Sequence, residues 1–365
     1  MTDIPKTMRA MVLTGHGDMD NLVYKPDWPV PVPGPGEALI KVAACGMNNT
    51  DVNTRTGWYS KAVTSGTSGD ASEQADEQDP TWGGAPMALP RIQGGDAVGT
   101  VVALGAGSDA SLIGRRVLVD TVLRDWNDPM NLEKCGYLGS EADGGFAEYM
   151  KIDCRNLCPI NSDLSDAELA TFAISYSTAE NMLNRAQVTS GDTVLIPGAS
   201  GGVGSALIQL ANRRGATTIA LASIAKHADV AKVGPTHLLP RDPGDLKAAL
   251  RQLTGRETVS VVADIVGGDG FFDLIDALER GGRYTCSGAI AGPIVALDLR
   301  TLYLNDLTFT GCTILTPNIF PDLVGYIERG EIRPLLAATY PLENLKEGQQ
   351  AFIDKKHTGN IVVTI

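Results

Sequence analysis

One stretch, Asp192 to Gly215 (DTVLIPGASGGVGSALIQLANRRG), restricts the fold more than any other part of the chain. Thr193 to Pro197 is a short apolar run rich in β-branched residues, Ala199 to Gly204 is a turn of small residues, and Val203 to Ala211 carries apolar residues at helical spacing. The pattern predicts a strand, a tight turn and a helix. In a βαβ unit that turn brings backbone N–H groups and the positive end of a helix dipole to one point, where a pyrophosphate fits. Ala199, Ser200, Gly201, Gly202, Val203 and Gly204 are therefore the expected phosphate-binding residues. Of the glycines Gly201 and Gly204, one lets the backbone approach the phosphates and the other lets the helix pack on its strand. Ala199 replaces the first glycine of G-x-G-x-x-G, and a second strand, Thr217 to Ser223, follows about twenty residues later, as the motif requires.

The end of that second strand selects the cofactor. A carboxylate there would hold the ribose 2′-hydroxyl of NAD and repel a 2′-phosphate, but none occurs before Asp229. Ser223 can donate to a phosphate, Lys226 can neutralise it, and Arg241 can close over it. These residues point to NADPH. The alternative is that Lys226 and Arg241 are solvated surface charges.

The chain has 365 residues, enough for two domains. Its 30 basic and 43 acidic residues give a net charge of −13, which argues against nucleic acid or an anionic membrane as partner. The start, MTDIPKTMRAMVLTG, lacks a basic segment followed by a long apolar one, and no apolar run is long enough to span a bilayer, so a cytoplasmic protein is expected. The six cysteines form no C-x-x-C pair and read as reduced thiols.

The rest of the chain divides by pattern. Before residue 160 it is predominantly β with long loops, with strands expected at 8–15, 37–45, 116–121 and 146–152 and a glycine-flanked one within 94–107. A polar segment, Cys45 to Ser60, lies before any long helix and is expected to line a cleft. Residues 62–88 form an acidic stretch without Lys or Arg, expected to be a solvated surface excursion with Trp82 as an anchor, or else a lid. Ser165 and Glu168 make a capping box ahead of a helical pattern over 166–188 that breaks near 175–177. Alternating strands and helices then predict an α/β fold, a doubly wound parallel sheet over 161–319. The segment 320–365 is expected to return to the first unit (1–160), making the parallel sheet an insertion in a mostly β domain.

Over nearly its whole length the sequence resembles the medium-chain dehydrogenase/reductase superfamily. The resemblance is carried by G-P-G-E at 34–37, N-N-T-D at 48–51, the 94–107 segment, D-G-G-F-A-E-Y at 143–149, S-T-A at 177–179 and the A-S-G-G-V-G turn. It implies a Rossmann domain inserted in a GroES-like catalytic domain. Within the superfamily the chain is most similar to the quinone oxidoreductase and enoyl reductase branches. Zinc-dependent members place a Cys, a His and a second Cys where this chain has Asn48, Gly95 and Ile174, none of which can serve as such a ligand, and the four-cysteine structural lobe is reduced to Cys135. A zinc-free enzyme is expected.

Without a Lewis acid, a polarised C=C bond is an easier target than a simple ketone. The segment 48–59 resembles the enoyl reductase pattern N-x-x-D-x-N-x-x-x-G-x-Y, whose tyrosine, the proton donor of that family, falls on Tyr59. The alternative is that Tyr59 only packs at the cleft mouth. The resemblance also implies that Asn48 and Thr178 bond the nicotinamide or ribose, that Ser287, Gly288, Ala289 and Ile290 pass beside the nicotinamide, and that Asn360 reaches the phosphates or carboxamide. Asp51 is expected to order the cleft loop by accepting backbone N–H bonds, and Asp96 to cap a turn. The stretch DPMNLEKCGYLGSEADGGF, residues 128–146, echoes the D-P and W-G-Y-E-T-x-D-G-S-F segment of crotonyl-CoA carboxylase/reductases, which keeps acyl thioesters among the substrates without implying carboxylation. The resulting expectation is an NADPH-dependent reductase of quinones, enones or enoyl thioesters. An NADP-dependent alcohol or aldehyde dehydrogenase using Tyr59 in place of metal, and a cofactor binder without turnover, stand as alternatives. The segment 307–315 resembles the last strand through which such subunits pair, so a homodimer is expected, unless that strand is central and merely buried.

Overall fold

The structure is a computed structural model and describes residues 4–70, 76, 78, 79 and 81–365. Its second half is built on a six-stranded parallel sheet of β1 (Thr193–Ile196), β2 (Thr217–Ala222), β3 (His237–Pro240), β4 (Val259–Asp264), β5 (Leu278–Cys286) and β6 (Thr308–Gly311), in the order β3-β2-β1-β4-β5-β6. Continuous apolar runs suit these strands because helices cover both faces. Val194 and Ile196 join one core with residues of the helices Ala173–Arg185 and Gly202–Arg213, while Leu195 between them joins another with Leu250 and Phe271. All three β1 residues are fully buried, each worth roughly 1.5–3 kcal/mol of apolar transfer. The strand order reverses beside β1, and such a switch point leaves a crevice at the carboxyl ends of the strands.

The mostly β unit packs against that end. Its largest sheet is centred on strand Glu37–Gly46, which pairs antiparallel with Asp96–Leu104, with Tyr149–Asp153 and, through Ala44–Gly46, with the terminal strand Asn360–Thr364. The tail thus returns to the first sheet, and Gly359 bridges to Gly201 on the way, its N–H donating to the Ser200 carbonyl. One expectation is corrected. The helical pattern of 166–188 breaks at 170–172, between Asp166–Leu169 and Ala173–Arg185, not near 175–177. Ser177 stays helical by bonding back to the Ile174 carbonyl, and Ser175 accepts from the Asn360 amide, so both hydroxyls are satisfied within the helix.

Among the described residues β6 is an edge strand, paired only with β5 and partly exposed. The segment before it exposes Ile294, Leu299, Tyr303 and Leu304. Among the described residues no helix is long and apolar enough to cross a membrane.

Candidate active site

Between the two units lies a cleft of about 530 Å³. Asn48, Tyr59, Thr178, Val203 and the Ser287–Ile290 segment all line it, so the structure brings together residues that are up to 242 apart in sequence. At its base is the glycine turn. The helix Gly202–Arg213 starts from Gly201, and no side chain caps its first N–H groups. Around Gly201 the space is open, the nearest atom to an added Cβ being the Gly198 carbonyl oxygen at 3.6 Å. At Gly204 the same Cβ would lie 2.4 Å from that oxygen, and at Gly202 it would lie 2.4 Å from Ser175 Oγ. Asn360 Nδ2 donates to Ser175, while its buried Oδ1 has no partner. Open backbone, uncapped amides and an orphan acceptor fit a dinucleotide held across this turn.

The adenosine end is more crowded than a pair of surface charges. Ser223 follows β2 as expected, but Lys226 is not a freely solvated cation. Its ammonium donates to the carbonyls of Lys355 and His357 at 2.6 and 2.5 Å, leaving one N–H for a ligand. Arg241 is exposed and near enough that its charge, after burial, lowers the Lys226 pKa. Lys355, absent from the sequence reading, donates to Asn49 Oδ1 at 2.8 Å and lies over the Phe352 ring. Burial, then the Lys226 charge, pulls its pKa down to about 8, and the same causes with Lys355 added pull His357 down to about 4. Among the described residues neither Lys226 nor Lys355 has an ion-pair partner.

At the other end the cleft loop is locked by carboxylates. Asp51 accepts from the N–H groups of Asn48 (2.8 Å) and Gly94 (3.2 Å), fixing the start of helix Asn49–Thr56. Asp96 does more than cap a turn: it accepts from Asn48 Nδ2 at 2.8 Å and from the Ile174 N–H. Asn48 then keeps the second N–H of its Nδ2 for a ligand. Burial raises both acids to about 7 against these bonds. Tyr59, half-buried a few residues beyond the helix, is raised to about 12 by burial, opposed by Thr50 and Asn53, so its phenol keeps its proton at neutral pH. Asp264, at the end of β4, accepts from the N–H groups of Val266 and Gly267 and from the Tyr284 hydroxyl. Asn48, Gly95 and Ile174 meet through Asp96, and among the described residues no three His, Cys, Asp or Glu side chains are grouped to hold a metal ion.

The acidic stretch is not merely a surface excursion. Thr67 donates its N–H to the Ile290 carbonyl and its hydroxyl to Asn53, so this segment straps the cleft loop to the Rossmann side of the cleft. Thr81 and Gly83 bond Glu141, and Trp82 packs on Tyr137 with ring centroids 5.1 Å apart, so Trp82 is an anchor that also lines the cleft. Residues 71–75, 77 and 80 lie outside the described residues. Hydropathy cannot reveal a strap held by backbone carbonyls and small residues. Tyr137 is likewise a cleft residue that the sequence reading missed. Its signal is the G-Y pair of the stretch that echoes the crotonyl-CoA carboxylase/reductase segment, which does not by itself assign it a place in the cleft.

Residues 34–162 match the family described as Alcohol dehydrogenase GroES-like domain, and residues 202–329 the family described as Zinc-binding dehydrogenase. Acryloyl-coenzyme A reductase of Metallosphaera sedula is 25% identical, over 98% of this chain and 100% of its own. Quinone oxidoreductase of Pongo abelii is 24% identical, over 95% and 94%. A solved Sinorhizobium meliloti 1021 protein, described as a candidate alcohol dehydrogenase, is 47% identical with a TM-score of 0.91, covering 100% of this chain and 98% of its own.

Proposed function

Because the chain belongs to the medium-chain dehydrogenase/reductase superfamily, we propose that it is an NADPH-dependent oxidoreductase that reduces a C=C bond conjugated to a carbonyl, without a metal. The substrate class is quinones, enones or enoyl thioesters, the chemistry named in its quinone oxidoreductase and acryloyl-coenzyme A reductase relatives. The observation that carries this reading is the cleft itself: a protonated phenol, Tyr59, faces the same space as Ser287–Ile290, while the positions that relatives use for zinc are Asn48, Gly95 and Ile174.

The chain's own groups divide the work. Gly201, Gly202 and Gly204 with the uncapped helix start hold the pyrophosphate, and the Asn360 Oδ1 acceptor takes an N–H of the nicotinamide carboxamide. Ser223, the remaining N–H of Lys226 and the exposed Arg241 take the 2′-phosphate, whose charge relieves cations that have no ion-pair partner among the described residues. Asn48 and Thr178 orient the ribose and nicotinamide. The bound cofactor supplies hydride to the β-carbon. The π pair of the C=C bond then shifts toward the carbonyl, and Tyr59 gives its proton to the α-carbon, recovering one from water afterwards.

NADPH oxidation by a quinone, an aliphatic enone, crotonyl-CoA and an aldehyde, with zinc content assayed alongside, tests the proposal. Turnover of a C=C substrate by metal-free protein, preferring NADPH to NADH and falling about 100-fold in Tyr59→Phe with NADPH affinity kept, is the expected result. Aldehyde-only turnover or stoichiometric zinc overturns it.

We also propose that β6 and the exposed Ile294, Leu299, Tyr303 and Leu304 pair two copies, extending one sheet into the other. Sedimentation at micromolar concentration is expected to give a dimer. A monomer there, or a dimer unaffected by Tyr303→Glu, sinks this interface.

A further inference from the structure

We infer that the Tyr137 hydroxyl is the hydrogen-bond donor for the substrate's carbonyl oxygen. The inference rests on the reductase reading above and assigns the group that replaces a Lewis acid. Tyr137 is only 5% exposed, yet it lines the cleft. Its hydroxyl is buried and makes no hydrogen bond of good geometry within the protein, with the Thr50 hydroxyl as a neighbour. Among the described residues it is the only such orphan polar atom on a side chain that lines the cleft. Leaving a buried hydroxyl unpaired costs stability, and a ligand atom is the natural partner for one left at a cleft wall.

The phenol is also held in place. Its ring packs on Trp82, and its backbone N–H donates to Glu141 Oε2 at 2.7 Å, the same carboxylate that fastens Thr81 and Gly83. The hydroxyl sits where only glycine permits it: a Cβ on Gly95 would lie 2.8 Å from the Tyr137 oxygen and 2.9 Å from Ile174 Cδ1. It therefore occupies space that a side chain at position 95 would take, beside Ile174. Burial and the nearby Asp51 and Asp96 raise its pKa well above the ordinary phenol value, so it stays a donor.

Two phenols then share the chemistry without exchanging roles. As hydride adds to the β-carbon, negative charge grows on the carbonyl oxygen, and a preorganised O–H there stabilises it. Tyr59, which interacts with Tyr137 and shares Thr50 with it, is left to protonate carbon. Trp82 and Glu141 act through Tyr137 as positioning residues, which gives the strap of residues 64–70 and 81–83 a function in the site.

The test is the carbonyl stretch of 13C-labelled cinnamaldehyde bound to the protein with NADP+, read by infrared difference spectroscopy. In wild type and in Tyr59→Phe the band is expected at lower frequency than in buffer, and in Tyr137→Phe it is expected to return to the buffer position. Tyr137→Phe should also lower kcat for cinnamaldehyde reduction about 100-fold while melting at or above the wild-type temperature, because it removes an unpaired buried hydroxyl. A wild-type band at the buffer position, or a shifted band that survives Tyr137→Phe, overturns the assignment, as does a variant that melts lower with its band unchanged. A shifted band in a protein that never oxidises NADPH fails the reductase reading and leaves the donor assigned.

Discussion

Gly204→Val is expected to weaken NADPH binding about 1000-fold and to destabilise the fold, whereas Gly201→Ala should weaken binding with no loss of stability. The two glycines sit three residues apart and answer to different neighbours. At Gly204 a Cβ would meet the Gly198 carbonyl oxygen at 2.4 Å and Ala199 Cα at 2.7 Å, both backbone atoms that cannot swing aside. Helix Gly202–Arg213 would have to move off β1, and its amides would leave the point where they converge. Losing two charge-assisted bonds of roughly 1.5–3 kcal/mol each gives about 4 kcal/mol, or about three orders of magnitude in Kd. Gly201 has φ −86°, which any residue adopts, and no atom nearer than 3.6 Å to an added methyl group. Its restriction comes only from the ligand. Quenching of NADPH fluorescence with thermal melting in parallel separates the two effects, and a Gly201→Ala protein that binds NADPH like wild type would contradict a phosphate seated against this backbone.

The glycine turn was legible in the sequence because all its determinants are local: a β-branched run, small residues and an amphipathic helix within Asp192–Gly215. The parallel sheet was legible for a related reason, since strands covered on both faces must be apolar throughout. What could not be read depends on partners far away in sequence. Lys226 was singled out for its position, but its two carbonyl partners are 129 and 131 residues away and belong to the terminal segment. Lys355 has no local motif, and its low pKa arises only when folding buries it beside Lys226. Tyr59 could be found through its spacing from Asn48, Asp51 and Asn53 on one continuous loop and helix. Tyr137 could not, because its place is set by Trp82 from an acidic stretch, by Gly95 and by Glu141, three separate segments whose meeting leaves no period in the sequence.

Arg55→Met is expected to cost about 4 kcal/mol, the largest stability loss proposed for this chain outside the glycine turn. Arg55 is the largest of the fully buried side chains, on a helix of eight residues whose polar composition gives it little propensity of its own. Its guanidinium joins three segments: Nε donates to Gln349 Oε1 at 2.8 Å, and the two terminal nitrogens donate to the carbonyls of Gly17 and Gly69 at 2.5 and 3.0 Å. Burial lowers its pKa, with Asp18 and Asp70 opposing that, yet a guanidinium still stays charged at any working pH. Methionine fills much of the same volume but leaves two carbonyls and an amide oxygen unpaired, and removing one member of a buried charged network costs about 3–5 kcal/mol. The loss should be local as well as global, because Gly69 belongs to the strap that reaches Ile290 through Thr67. Chemical denaturation and limited proteolysis check both parts: a lower midpoint, with new cleavage between residues 61 and 70. Arg55→Lys, which keeps the charge but not the planar fork, should recover only part of the stability. Full recovery by lysine would mean that charge alone, not the three-way geometry, holds the loop, the strap and the C-terminal helix together around Tyr59.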